Sequence, residues 1–286
     1  MEVIDQSKTI LLISSHVIRG TVGTRSSGFA LETLGHHVWS FLTVTMTWQP
    51  RHGPAHRLNI PIEDFATFAK DIANNPHSSE IDAVMTGYFA SAKQVEIAAQ
   101  LIKQLKQKRP DLTYLCDPVM ADEQGLYVPE DIAKAIKAHL IPLSDILKPN
   151  RSELEWLVGH KLDTNDDIIK AARETGVDIV LVTSAAAMLK NATANLLIHS
   201  DEIWLAEHRL VKDPVNGLGD LTSALFLSHY LAGMGVKSAL QFTTASVFDC
   251  LCATLQKHSN ELVLEQTYPL FMGPHSQINL RALSMV

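Results

Sequence analysis

Short apolar runs alternate with longer stretches of helical period along the whole chain, and no other feature of the sequence limits the fold as strongly. Ile10 to Ser14, Val38 to Val44, Ala83 to Thr86, Thr113 to Cys116 and Ile179 to Thr183 read as strands, since each is brief and largely apolar. Ser91 to Lys108 instead places Val95, Ala98, Ala99, Leu101, Ile102 and Leu105 on one helical face, and Pro110 closes it. Pro129 to Ala138 and Asn165 to Thr175 read as helices in the same way, and Leu196 to Trp204 as a further strand pair near the sheet edge. This alternation predicts an α/β fold with a mostly parallel central sheet flanked by helices on both faces. At 286 residues the chain is long enough for two domains, yet one α/β domain also reaches this length. It contains no fixed-period repeat and no low-complexity linker, so a single domain over 1–286 is expected. Asn74 to Ser79 and His52 to Pro61, rich in Pro, His, Asn and Ser, read as loops, and residues 45–61 as a small lid.

Composition removes several classes of function. With 46% hydrophobic and 19% charged residues the chain is not disordered. Its formal charge is −7 without a long run of either sign, so nucleic acid binding through a basic face is not expected. The start, Met1 to Ser14, is acidic and its apolar run is too short for a signal peptide. Thr33 to Pro50 lacks Asp, Glu, Lys and Arg, but it reads as strands and loop rather than a membrane span. Cys116, Cys250 and Cys252 have neither metal-ligand spacing nor the count of a disulfide framework, which fits a reduced, cytoplasmic compartment.

The sharpest local signal is Asn216-Gly217-Leu218-Gly219-Asp220 before a helix with the stripe Leu221, Ala224, Leu225, Leu231 and Ala232. Two glycines let the backbone approach a ligand, and free amides at a helix start point at an anion. Asp220 is then either a base for an alcohol attacking a phosphoryl group or a helix cap. Asp117 ends the strand Thr113 to Cys116, where ligands of open α/β sheets gather, although an Asp before Pro118 also suits a plain turn. Asp122, a few residues on, can face the same crevice. Asn150 and Glu153 are spaced to share a face of a first helical turn, as Mg²⁺ ligands or as a capping pair. Thr183 and Ser184 end another strand and can bond a phosphate or cap a turn. His16 has no acid nearby in sequence and is assigned no proton transfer.

Taken together, Ser15 to Gly20 with Val22-Gly23, Thr86-Gly87-Tyr88, Cys116 to Met120, Tyr127 to Asp131, Pro149-Asn150 with Glu153, Val182 to Ser184 and Gly217 to Asp220 resemble the pyridoxal kinases of the ribokinase-like superfamily. The matches run in family order from about residue 10 to residue 232. The resemblance implies transfer of the γ-phosphate of ATP to the 5′-hydroxymethyl group of a vitamin B6 form, with Asp220 as base. It implies that the amides from Gly217 through Leu218 and Gly219 to Asp220 hold the transferring group. It places Asp117, Asp122 and Glu153 around Mg²⁺, puts Thr183 and Ser184 on the nucleotide side, and sets the pyridine ring near Ser15, Val22 and Tyr88. A homodimer and a flap over the ring are family expectations.

Two departures stand out. Where the family usually reads Val-Gln-Phe-Ser-Asn-His-Thr, this chain has Val44-Thr45-Met46-Thr47-Trp48-Gln49-Pro50. Pro50 has no hydroxyl to offer, so Met46 and Trp48 become the lid's substrate-side candidates, Trp48 either stacking on a ring or packing the lid. Lys148 stands where animal relatives carry a threonine near an activating monovalent cation. Its ammonium either replaces that K⁺ on the ATP side or points to solvent. Ala121 replaces the usual glycine before Asp122, which leaves that turn and the role of Asp122 open. Phosphorylation of another hydroxymethyl heterocycle, such as a hydroxymethylpyrimidine, and non-catalytic B6 binding are the alternatives; the second does not require the base at Asp220.

Overall fold

In the computed structural model, which describes residues 7–284, ten strands form one sheet. The first half of the chain supplies β1 (Thr9–Arg19), α1 (Thr24–Thr33), β2 (His37–Trp48), β3 (Arg57–Asn59), α2 (Ile62–Asn74), β4 (Ile81–Thr86), α3 (Ala92–Lys108) and β5 (Thr113–Cys116). A small two-stranded ribbon, β6 (Ala121–Asp122) and β7 (Gly125–Leu126), precedes α4 (Glu130–Ala135) and β8 (Ile146–Leu147). Then come α5 (Arg151–Val158), α6 (Asn165–Glu174), β9 (Ile179–Ala185), β10 (Ala192–His199), β11 (Glu202–Arg209), α7 (Leu218–Leu231), α8 (Val236–Gln256), α9 (Leu264–Thr267) and β12 (Leu280–Ala282). The strand order is β12-β11-β10-β9-β8-β5-β4-β1-β2-β3. From β9 to β2 every pairing is parallel, while β3 at one edge and β10, β11 and β12 at the other pair antiparallel.

Both faces of the sheet are covered. Side chains alternate along a strand, so β1 sends Leu11 and Ile13 to one face and Ile10 and Leu12 to the other, and all four are fully buried. The first face packs on α2 to α6 through Phe65, Val95, Ile132, Leu154 and Ile168, and the second on α1, α7 and α8 through Leu31, Leu225 and Leu240. This is the flanked α/β sheet expected from the sequence.

Boundaries moved where tertiary contacts override local pattern. β2 and β10 run longer than their apolar runs indicate. The helix read over Pro129 to Ala138 ends at Ala135 and continues as a π-helical turn over Ile136–Leu140. His52 to Pro61 is not wholly a loop, because β3 within it pairs with Val44 to Met46 of β2. The stretch 45–61 therefore comprises the end of β2, a 3₁₀ turn at Pro50–His52 and β3. Asn74 to Ser79 likewise includes the start of a 3₁₀ turn at Pro76–Glu80. Residues 1–6, which open the stretch judged against a signal peptide, and residues 285–286 lie outside the described residues. No helix among the described residues is long and apolar enough to cross a membrane.

Candidate active site

The parallel strands end in one row. Ser15 lies within β1, Gly87-Tyr88 follows β4, Asp117 follows β5, Lys148 follows β8 and Thr183-Ser184 lies near the end of β9. The direction of strand addition reverses between β1 and β4, which opens the crevice where α/β sheets bind ligands.

The start of α7 forms the floor of that crevice. Gly217 is its N-cap with φ of 95°, and a Cβ there would lie 1.9 Å from the Thr21 carbonyl oxygen, so only glycine fits. No side chain caps this helix, which leaves its first-turn amides available to a ligand. Asp220 is in that first turn and is not a cap. Ser26 Oγ donates to the Gly217 carbonyl at 3.3 Å and Ser27 Oγ to the Asp220 carbonyl at 3.1 Å, so α1 fixes the position of α7. The Asp220 carboxyl is pushed up to about 6, by burial first and by the charge of Asp117 second, with the Gly23 amide and Lys148 opposing.

Behind the loop lies a buried charged cluster. Lys148 Nζ is 2.9 Å from Asp117 Oδ2, with both side chains almost fully buried. Ser223 Oγ donates to the same carboxylate oxygen at 2.7 Å. Burial works against the Lys148 ammonium, but Asp117 and Glu153 outweigh it and raise its pKa, so it stays charged. It does not point to solvent. A Cβ on Gly219 would sit 3.3 Å from Nζ, which places the ammonium directly beneath the glycine loop.

Glu153 acts as half of a capping box: Asn150 Oδ1 accepts from the Glu153 amide at 2.8 Å, and Glu153 Oε2 accepts from the Asn150 amide at 2.8 Å. Its other oxygen accepts the Met120 amide at 2.9 Å, and burial, then Asp117, holds its carboxyl above the usual range. The structure does not gather Asp117, Asp122 and Glu153 into one ligand set. Asp122 is exposed on the ribbon and accepts the Gln124 amide at 2.8 Å, and among the described residues no three His, Cys, Asp or Glu side chains form a metal-holding group.

On the opposite side, Ser15 is buried against Gly23, where a Cβ would lie 2.6 Å from Ser15 Oγ. Tyr88 is held by its backbone, its amide donating to Ser14 Oγ at 3.3 Å and its carbonyl accepting from Thr43 Oγ1 at 2.7 Å. Val17 pairs with Met46, Arg19 with Trp48, and Met46 with Arg57, so Met46, Trp48 and Arg57 share one face of the sheet edge. Trp48 is half-buried and its Nε1 donates to the Gly53 carbonyl at 3.3 Å. Val22 is also half-buried beside Gly23. Thr183 donates its amide to the Pro149 carbonyl at 2.9 Å, and exposed Ser184 lies inside β9, one residue before its end, with φ of 56°. His16 Nδ1 lies 2.8 Å from Thr24 Oγ1 at the start of α1.

Three residues escaped the sequence reading. Ser223 follows Asp220 by one helical turn, and that spacing alone would have aligned it with the crevice. Arg57 donates to Tyr88 Oη at 2.8 Å with its guanidinium carbon 5.3 Å from the ring centroid, and Glu261 bonds Thr21 and the 45–61 segment; neither has a sequence signal.

A ribokinase-like sheet with an uncapped Gly-x-Gly-Asp helix start at its topological switch point is the architecture of a small-molecule kinase. The family model for phosphomethylpyrimidine kinase matches residues 30–262. A pyridoxal kinase of Corynebacterium diphtheriae is 31% identical over 281 residues, covering 96% of this chain and 99% of the relative. The pyridoxal kinase structure from Entamoeba histolytica superposes with a TM-score of 0.90 at 22% identity, over 97% of this chain and 100% of that one. The Leishmania donovani pyridoxal kinase in complex with ADP and pyridoxamine gives a TM-score of 0.90 at 23% identity, over 96% and 99%. The chain belongs to the phosphomethylpyrimidine kinase family and, within it, to the pyridoxal kinases.

Proposed function

We propose that this protein transfers the γ-phosphoryl group of ATP to the 5′-hydroxymethyl group of pyridoxal. The observation that carries the mechanism is Asp220, a carboxylate with its pKa near 6 beside uncapped helix amides. As the hydroxyl oxygen attacks the γ-phosphorus, its proton passes to Asp220, and the bond to the β–γ bridging oxygen breaks to release ADP. The amides of Gly217 to Asp220 face the transferring group, and the Lys148 ammonium beneath Gly219 adds positive charge as the phosphoryl oxygens change geometry. Ser15, Val22 and Tyr88, with Met46 and Trp48 of the 45–61 lid, bind the vitamin; Thr183, Ser184 and Leu218 lie on the nucleotide side.

Mg²⁺ fits this donor set, because it needs only one or two carboxylates beside the phosphates and retains waters. Asp117 would hold it, with Glu153, whose two oxygens already accept the Asn150 and Met120 amides, behind it, while Asp122 lies on the exposed ribbon. Bound there, the ion would neutralise phosphate charge. A separate K⁺ is unnecessary in this reading, as Lys148 already supplies a fixed cation. The free thiols Cys116, Cys250 and Cys252 support a reducing, cytoplasmic setting, and a homodimer is the family's assembly.

The second substrate to consider is a hydroxymethylpyrimidine, favoured by the name of the matching family and by Pro50 in the lid. The test is phosphorylated product from Mg·ATP with pyridoxal, pyridoxamine, pyridoxine and hydroxymethylpyrimidine. Preference for the pyrimidine would replace the vitamin reading, and absence of any product would return the protein to a binding role.

A further inference from the structure

Glu261 lies between α8 and α9, far in sequence from every motif of the site, yet its carboxylate binds two parts of the site directly and reaches a third through them. The first is the substrate-side loop. The Thr21 amide donates to Glu261 Oε2 at 3.2 Å, while the Leu262 amide donates back to Thr21 Oγ1 at 3.0 Å. A Cβ on Gly20 would come within 2.9 Å of Glu261 Oε1, so the chain approaches this carboxylate as closely as glycine permits. The second is the 45–61 segment: His52 Nε2 lies 2.5 Å from Glu261 Oε1, and Gln49 Nε2 donates to Oε2 at 3.1 Å. The third is the phosphate loop. Asn216 Nδ2 donates to Gln49 Oε1, and the Gly217 backbone packs on the carbonyl of the same Thr21 that Glu261 holds. Arg51 adds a parallel tie, donating to the Pro214 carbonyl and pairing with Asp213 at 2.8 Å.

A carboxylate that accepts from a backbone amide, an imidazole and a side-chain amide fixes all three in one geometry, because such charge-assisted bonds are short and directional. The Glu261 carboxylate itself is anchored by its backbone, whose amide donates to Ser259 Oγ at 3.2 Å and whose carbonyl accepts from the same hydroxyl at 2.6 Å. Lid, vitamin loop and phosphate loop therefore cannot shift independently while these bonds persist.

We propose that Glu261 is a positioning residue for phosphoryl transfer, latching the lid over the vitamin and aligning the vitamin loop with the amides of Gly217 to Asp220. It rests on the reading of 45–61 as a lid and of Gly217 to Asp220 as the phosphate loop. The latch gives the transfer reaction priority over hydrolysis. Where it is loosened, water reaches the γ-phosphorus in place of the vitamin hydroxyl, and ATP and water yield ADP and inorganic phosphate.

The test compares Glu261→Gln and His52→Ala with the native protein in vitamin phosphorylation, vitamin-dependent and vitamin-free ATP hydrolysis, ATP binding by calorimetry, and Tm. His52→Ala removes one of the two lid bonds to Glu261 and leaves the Gln49 and Thr21 bonds intact, so it loosens the latch more mildly and keeps the test open if Glu261→Gln folds poorly. Both variants are expected to raise the ratio of hydrolysis to transfer and the vitamin KM by about 10-fold, within the range that small misplacements cost, while the ATP Kd changes less than about twofold. Native partition and KM in both variants would overturn the proposal, as would a loss of rate that follows Tm with partition unchanged. If the native protein phosphorylates no vitamer, the functional reading has failed instead, which the same assay distinguishes.

Discussion

Replacing Asp220 with Asn tests the proposed chemistry with little collateral change. The helix start has Gly217 as N-cap and uses no side-chain cap, and Ser27 bonds the Asp220 backbone carbonyl, so none of these contacts depends on the carboxylate. Asn Oδ1 can still accept from the Gly23 amide, and removing a charge that Asp117 repels relieves the fold. With its pKa at about 6, roughly nine-tenths of Asp220 is ionised at pH 7 and able to accept the hydroxyl proton. An amide cannot accept it, so the chemical step should slow by about 10²- to 10⁴-fold, equivalent to about 3 to 5 kcal/mol of transition-state stabilisation. Single-turnover phosphorylation and calorimetric binding on one preparation separate the two effects, and ATP and vitamin Kd should stay near native. The native rate should also fall about tenfold per pH unit below about 6, and that acid limb should vanish in the variant. An Asn variant with a near-native chemical step, or with an unchanged acid limb, would refute Asp220 as the base.

Other expectations follow from the same geometry. Because the Lys148 ammonium is fixed between Asp117 and Gly219, replacing K⁺ with a bulky organic cation should leave the rate within about twofold; a strong K⁺ requirement would remove Lys148 from that role. Trp48→Ala should weaken vitamin binding about three- to tenfold, the worth of an aromatic contact, with ATP binding unchanged; an unaltered Kd and a silent tryptophan fluorescence would confine Trp48 to lid packing. His229 is buried on α7 without a partner for Nε2, and burial depresses its pKa to about 4 from 6.5. The unfolded chain therefore takes up this proton first, and stability is lost as pH falls from about 6.5 toward about 4. Urea unfolding at pH 7 and pH 5 should show a gap smaller by roughly 2 kcal/mol in His229→Leu than in the native protein, and an equal gap would disprove the assignment.

Local pattern was enough for the frame of this protein. Ile10 to Ser14 and its counterparts announce strands because a sheet buried on both faces demands continuous apolar runs, and Val95 to Leu105 announces a helix because one face must meet that sheet. Gly217-Leu218-Gly219-Asp220 was legible for a similarly local reason: a left-handed turn followed by an uncapped helix needs glycine wherever anything else is strung. The two residues of β8 were not legible, since so short a run acquires strand geometry only from β5 and β9 on either side. The same limit applies within the site. Whether Lys148 faced solvent, whether Asp220 capped its helix, and whether Asp122 joined Asp117 depended on neighbours remote in sequence, and spacing carries no information about those. Ser223 reaches Asp117, and Glu261 reaches Thr21, only because packed helices and strands bring distant segments to one crevice. Burial then sets the chemistry: it raises the pKa of Asp220 and opposes the charge on Lys148, which persists because Asp117 and Glu153, brought together by the fold, outweigh it.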